Sequence, residues 1–165
     1  FAVFAEAPAA LAAALAIQRN SAARSWPDGH QIRFRIGLHH GSPTLTDTGY
    51  VGLDVHTAVR ICSAGHGGQI VLSGALREVF LAAPPLGVNF GDLGSHQLQG
   101  LPSPIALFQI EVADLPFSHP PRRIAVEQPL TTIVAVSPSR AVPLKVRPLW
   151  SGVNAVVPPK RPESP

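Results

Sequence analysis

The sequence has no methionine, a single cysteine and no lysine before Lys145. Opening on Phe1 without a methionine, it is expected to begin at a residue other than a native start. One cysteine, Cys62, excludes a disulfide framework and points to a reducing, cytoplasmic setting. No apolar run reaches the roughly 20 residues of a membrane helix. The alanine-rich stretch Ala7 to Ala16 is short, follows Glu6 and lacks a basic leader. Neither a membrane span nor a signal peptide is expected.

The formal net charge is +3 and the pI near 9.8, a balance that raises the question of nucleic acid. Its distribution answers against it. Residues 1–112 carry six Lys+Arg against seven acids, whereas residues 113–165 carry seven against three. A domain that grips nucleic acid through its fold concentrates basic residues on that fold. Proline divides the chain at the same place, seven of 18 before residue 113 and 11 after it. Residues 113–165 are therefore expected to be a basic, mostly disordered extension, in which Thr131 to Val136 is a short β-prone run.

Residues 1–112 alternate between strand and helix signals. Phe1 to Phe4 reads as a short strand. Pro8 suits a first helical turn, followed by Leu11, Ala14 and Leu15 at helical spacing. Trp26-Pro27-Asp28-Gly29 is a turn signal. Gln31 to Leu38 alternates, with Ile32, Phe34, Ile36 and Leu38 on one face. His40 to Tyr50 reads as a polar loop, and Leu53 to Ala64 as a helix with Val55, Val59 and Cys62 as its buried stripe. Gly65-His66-Gly67-Gly68 caps that helix and turns into a strand at Gln69 to Leu72. A helix over Leu76 to Leu81 and strands over Val88 to Leu93 and Ile105 to Val112 complete an α/β domain.

On the helix after Gly52, His56 and Arg60 lie four residues apart and project from one stripe. A guanidinium offers a fork of donors that matches phosphate oxygens. From spacing alone, the alternative is a surface arginine paired with an acid. Zinc binding through histidine is disfavoured. His39 and His40 point to opposite faces of a strand, and no cysteine or i, i+4 histidine partner accompanies them. Asp47 falls in a loop, Asp54 in a first helical turn where an acid suits the dipole, and Cys62 on an apolar stripe.

Four blocks in order resemble class III adenylyl and guanylyl cyclases. They are Arg35-Ile36-Gly37-Leu38-His39-His40-Gly41, Gly52 to Ile61, Gly65 to Ser73, and Asp92-Leu93-Gly94 to Pro104. The resemblance implies a ferredoxin-like, two-layer α+β cyclase homology domain over 1–112, incomplete at its N-terminus, with 113–165 as the tail. It implies a cytoplasmic signalling protein, homodimeric when intact, that converts ATP or GTP to a 3′,5′-cyclic nucleotide and pyrophosphate. Two Mg or Mn ions on two aspartates serve that chemistry in the family, and both aspartates fall before the position matching Phe1. By position Arg60 matches the family's catalytic arginine, and His56 stands where an asparagine is usual. Gly49, next to Tyr50, occupies a base-reading position. Gln97-Leu98-Gln99-Gly100-Leu101 lacks the family's lysine. The departures keep open a second reading, a non-catalytic dimerisation or nucleotide-sensing module.

Overall fold

The computed structural model describes residues 1–26 and 32–115, together with the backbone of 132–138. The elements in chain order are β1 (Ala2–Val3), α1 (Ala7–Ala23), β2 (Arg35–Gly41), β3 (Thr44–Thr46), β4 (Gly49–Val51) and α2 (Leu53–Ala64). There follow β5 (Ile70–Ser73), α3 (Gly74–Ala82), β6 (Asn89–His96), β7 (Ile105–Glu111) and β8 (Thr132–Pro138). Six strands form a mixed sheet in the order β1-β8-β2-β5-β7-β6, and β3 and β4 form a separate hairpin. Helices lie on this sheet, giving the two-layer α+β fold that the sequence implies, with α2 adding cover on the opposite face.

The two faces of the sheet follow from strand alternation. Ile36 and Leu38 of β2 and Ile70 and Leu72 of β5 pack with Leu11 and Leu15 of α1 and with Leu76 and Phe80 of α3. Val71, one residue out of phase, packs on the other face with Ile61 and Ala64 of α2 and with Leu98, Leu101 and Leu107. Ile36 and Leu38 share a face as the alternation expects, while cover on both faces keeps Ile36 to His39 continuously buried. The strand expected over Gln31 to Leu38 runs instead over Arg35–Gly41, and Gln31 lies outside the described residues. The turn expected at Trp26 to Gly29 lies mostly outside the described residues.

The stripe that α2 buries is rotated from the expected one. Val55 and Val59 are half-buried, whereas Thr57, Ala58, Ile61, Cys62 and Ala64 are buried. The reason is the closeness of helix to sheet. A Cβ at Gly37 would fall 2.4 Å from the Cys62 backbone nitrogen, so small residues face β2. The loop expected over His40 to Tyr50 contains the β3–β4 hairpin, whose residues are exposed or half-buried and offer no apolar face as a signal.

The expected extension over 113–165 lies outside the described residues except at 113–115 and 132–138. The β-prone run at Thr131 to Val136 is a strand there, and 113–115 is held on the domain. Asp114 binds Arg19 of α1, with Nε to Oδ2 at 2.6 Å. Thr132–Pro138 forms an interior strand, parallel to both neighbours and paired with β2 along Arg35 to Gly41. No proline falls between Pro129 and Pro138, so Thr132 to Ser137 keep the backbone donors that prolines on either side lack.

Candidate functional site

Helix α2 starts at Gly52, whose φ of 123° belongs to a region that side chains avoid. No side chain caps its first turn. With Thr57, Ala58, Ile61 and Cys62 turned inward, the helical period turns His56 outward and leaves Arg60 half-exposed. The expected i, i+4 stripe is therefore present.

The opposite wall comes from the turn after β6. Leu98 and Leu101 are buried against Ile61, Ala64, Val71 and Leu107. The Leu101 N–H donates to the Leu98 carbonyl at 3.2 Å, and Gln97 Nε2 donates to the Leu101 carbonyl at 2.7 Å. Gly100 supplies the positive φ of 77°. This pinned turn holds Gln99 and Gly100 across from α2. Together with Leu53, His56, Arg60 and Leu101 they line a cleft of about 230 Å³.

That volume is below the roughly 300–1,000 Å³ of a complete small-molecule pocket. It suits one phosphate or one sugar and leaves a nucleoside triphosphate to be completed by other groups. Arg60 makes no ion pair among the described residues, which removes the acid-paired alternative there. The lining offers a guanidinium, an imidazole and a carboxamide, all able to donate to an anion. Gly49 and Tyr50 lie on β4 and are not among the lining residues.

No carboxylate lines the cleft, and the described residues hold no group of three His, Cys, Asp or Glu that could take a metal ion. A Mg or Mn ion needs oxygen donors, commonly carboxylates. The donor set here does not fit one.

Sequence reasoning missed a second cluster beneath α2. His39 Nδ1 lies 2.8 Å from Ser73 Oγ, and His39 Nε2 lies 3.2 Å from Asp54 Oδ1. The Ser42 N–H donates to Asp54 Oδ2 at 2.6 Å, and the Leu76 N–H donates to Ser73 Oγ at 3.3 Å. One proton arrangement satisfies every member: Nε2–H donates to the carboxylate, and Nδ1 accepts from the Ser73 hydroxyl. The order Ser-His-Asp resembles a hydrolytic triad, but Ser73 is 1% exposed and caps α3, so no substrate reaches it. The cluster is a tie that joins the ends of β2 and β5 to the starts of α2 and α3. Its sequence signal was weak, since Leu38 and Leu72 are register partners only once the strands are aligned.

Burial pushes the His39 pKa below 6.5, against the pull of Asp54, and nearby His40 pushes it the same way. The folded chain thus binds fewer protons than the unfolded chain between the two pKa values. This contribution is complete above about pH 6.5 and is lost as pH falls toward the lower folded value. Melting temperature is therefore expected to drop from about pH 6.5 to pH 5, and to drop less in His39→Gln. Equal slopes in a pH-resolved thermal scan would contradict this.

No family model matches the chain. Uncharacterized proteins of Mycobacterium tuberculosis (strain H37Rv) and Mycobacterium bovis are each 38% identical over 134 residues, 81% of this chain and 45% of the relative. The chain thus spans about half the length of the curated relatives it matches. Any 134-residue span of a 165-residue chain includes residues 32–134, so the match takes in α2, the Gln99 turn and the first residues of β8. A solved adenylate/guanylate cyclase/hydrolase from Silicibacter pomeroyi superposes with a TM-score of 0.57 at 28% identity, over 67% of this chain and 65% of that one.

Proposed function

We propose that this chain, which carries a class III nucleotide cyclase-like domain, contributes the phosphate-facing half of a site that converts ATP or GTP to a 3′,5′-cyclic nucleotide and pyrophosphate. The supporting observation is the cleft itself: Arg60, free of ion pairs among the described residues, stands with His56 and Gln99 around a space of phosphate size. In cyclisation the 3′-hydroxyl attacks the α-phosphorus, its proton leaves, and pyrophosphate departs as the new P–O bond forms. Charge accumulates on the phosphoryl oxygens in between. Arg60 is proposed to take that charge in a bidentate contact, with His56 and Gln99 donating single hydrogen bonds to phosphate or ribose oxygens. Gly49 and Tyr50 are proposed to border the base, where Gly49 brings no side chain to choose between purines.

The cleft lacks carboxylates and is too small for the whole substrate. Metal ligands and the remaining walls are proposed to come from other parts of a longer protein and from a second copy in a homodimer. The second reading, a nucleotide-sensing module without turnover, is favoured by His56 in the asparagine place.

The chain alone is expected to make no cyclic nucleotide from millimolar ATP or GTP with Mg or Mn, as read by mass spectrometry of the product. A longer protein containing it is expected to make one. Turnover by the chain alone would overturn the half-site. Triphosphate binding without product in the longer protein would select the sensor.

A further inference from the structure

Strand β8 is placed unlike the others. It fills an interior position of the sheet, yet twenty residues separate it from Glu111 at the end of β7. The sheet order puts β7 three strand positions from β8, about 14 Å at 4.8 Å per step. With Val112 bridged to Leu115 and Asp114 tied to Arg19, the sixteen residues 116–131 are left, enough for roughly 55 Å when extended. The connection therefore has length to spare, and β8 can leave its place without moving β7.

What departs with β8 is β1 and the cover it gives α2, where Val3 packs on Ala58 and Cys62. β1 pairs only with β8 among the described residues, through Ala2↔Ala135 and Val3↔Val136. The strands β2-β5-β7-β6 stay linked to one another, with apolar clusters on both faces. Four strands packed with helices satisfy the requirement for independent stability. The sheet can thus open along the β8–β2 boundary without unfolding.

The opening would be felt at the cleft. β8 pairs with His39 through Val136 and with Gly41 through Pro138. His39 and Gly41 are the residues against which Asp54 of α2 rests, by the hydrogen bond at 3.2 Å and by a carboxylate 2.3 Å from a Cβ placed at Gly41. Asp54 stands one half-turn before His56. Release of β8 turns Arg35 to Gly41 into an open edge, freeing the strand that positions the first turn of α2.

We propose that Thr132–Pro138 is a detachable strap: with β1 it leaves the sheet as one unit, and its departure loosens α2 and the cleft beside it. The strap links the C-terminal part of the chain to the site, and its behaviour does not depend on what the site binds.

Native-state hydrogen exchange on the full chain, read by mass spectrometry, tests this. Amides of 132–138 and of Ala2–Val3 are expected to exchange together, about ten-fold or more faster than those of Ile70–Ser73 and Ile105–Glu111, as a sub-global unit does. Exchange of 132–138 at the same slow rate as β5 and β7 would make it a permanent strand and overturn the strap. So would exchange at the rate of an unprotected peptide. The variant Val134→Pro removes the ladder donor of the residue paired with Gly37 and populates the open state. It is expected to raise exchange over Leu53–Ala64 about ten-fold while leaving β5 and β7 protected. A rise confined to 132–138 would sever the strap from the cleft, and equal loss of protection in every element would show one cooperative unit. Either result overturns the proposal.

Discussion

Replacing Arg60 by alanine in a longer, active protein containing this chain is expected to lower turnover by about two to three orders of magnitude, the scale for losing one preorganised transition-state donor. The substrate KM should change much less. The charge that a guanidinium meets here grows as the α-phosphate is attacked, so the contact is stronger in the transition state than in the bound substrate. Arg60→Lys should recover little, because a compact ammonium cannot reproduce the planar fork. Stability should survive both changes, since Ala58, Ile61 and Cys62 carry the buried side of α2. Steady-state kinetics with melting curves for each variant decide the matter. An unchanged kcat, or a loss confined to KM, would remove Arg60 from the chemistry. His56→Asn, which restores the residue usual in the resembling family, should be tolerated.

Gly37→Val is expected to cost the most in stability. Any Cβ at Gly37 falls 2.4 Å from Cys62 N and 2.6 Å from Cys62 Cα, and these are backbone atoms that no rotamer change can clear. The strand cannot yield easily either, being paired with β5 at Ile36 to Leu38. Helix α2 must then lift from the sheet. That would strip the contact of Cys62 Sγ with the Arg35 carbonyl at 3.3 Å and loosen the Asp54–His39 tie. Overpacking a tight core typically costs about 1–3 kcal/mol, and a rigid backbone contact belongs at or above the top of that range. Melting temperature should fall by roughly 10 °C or more. Gly49→Ala is the comparison, because Gly49 has positive φ but open space around it. It should cost less, about 1–3 kcal/mol from backbone strain alone. Equal effects of the two would mean that α2 does not rest on β2.

The elements that were legible in the sequence are those whose signal is local. Helix α1 follows from Pro8 and the spacing of Leu11, Ala14 and Leu15, and α3 from the run closed by Pro84 and Pro85. The stripe of His56 and Arg60 follows from helical spacing alone. What was misread depends on partners distant in sequence. β2 shows its alternating face at Ile36 and Leu38, but its continuation through His39 to Gly41 is polar and glycine-bearing and reads as loop. The buried side of α2 uses Ala58 and Cys62, small residues chosen by the absence of a side chain at Gly37, and a search for large apolar residues passes over them. The β3–β4 hairpin buries too little to leave a pattern. β8 was legible as a β-prone run among prolines, but its place beside a strand about a hundred residues earlier was not. The Asp54–His39–Ser73 tie required the register of two parallel strands. Gln99 was visible as a missing lysine, and its place across from Arg60 emerged only with the turn pinned by Leu98 and Leu101.

The most direct measurement is a crystal structure of a longer protein containing this chain, bound to a 3′-deoxy nucleoside triphosphate. That analogue lacks the attacking hydroxyl, so the complex persists. The expected result is an α-phosphate oxygen about 3 Å from the Arg60 guanidinium, the distance of a charge-assisted hydrogen bond, with His56 and Gln99 on the same side of the nucleotide. A triphosphate held elsewhere, with the cleft between α2 and the Gln99 turn open to water, would contradict the proposal that this helix meets the reacting phosphate.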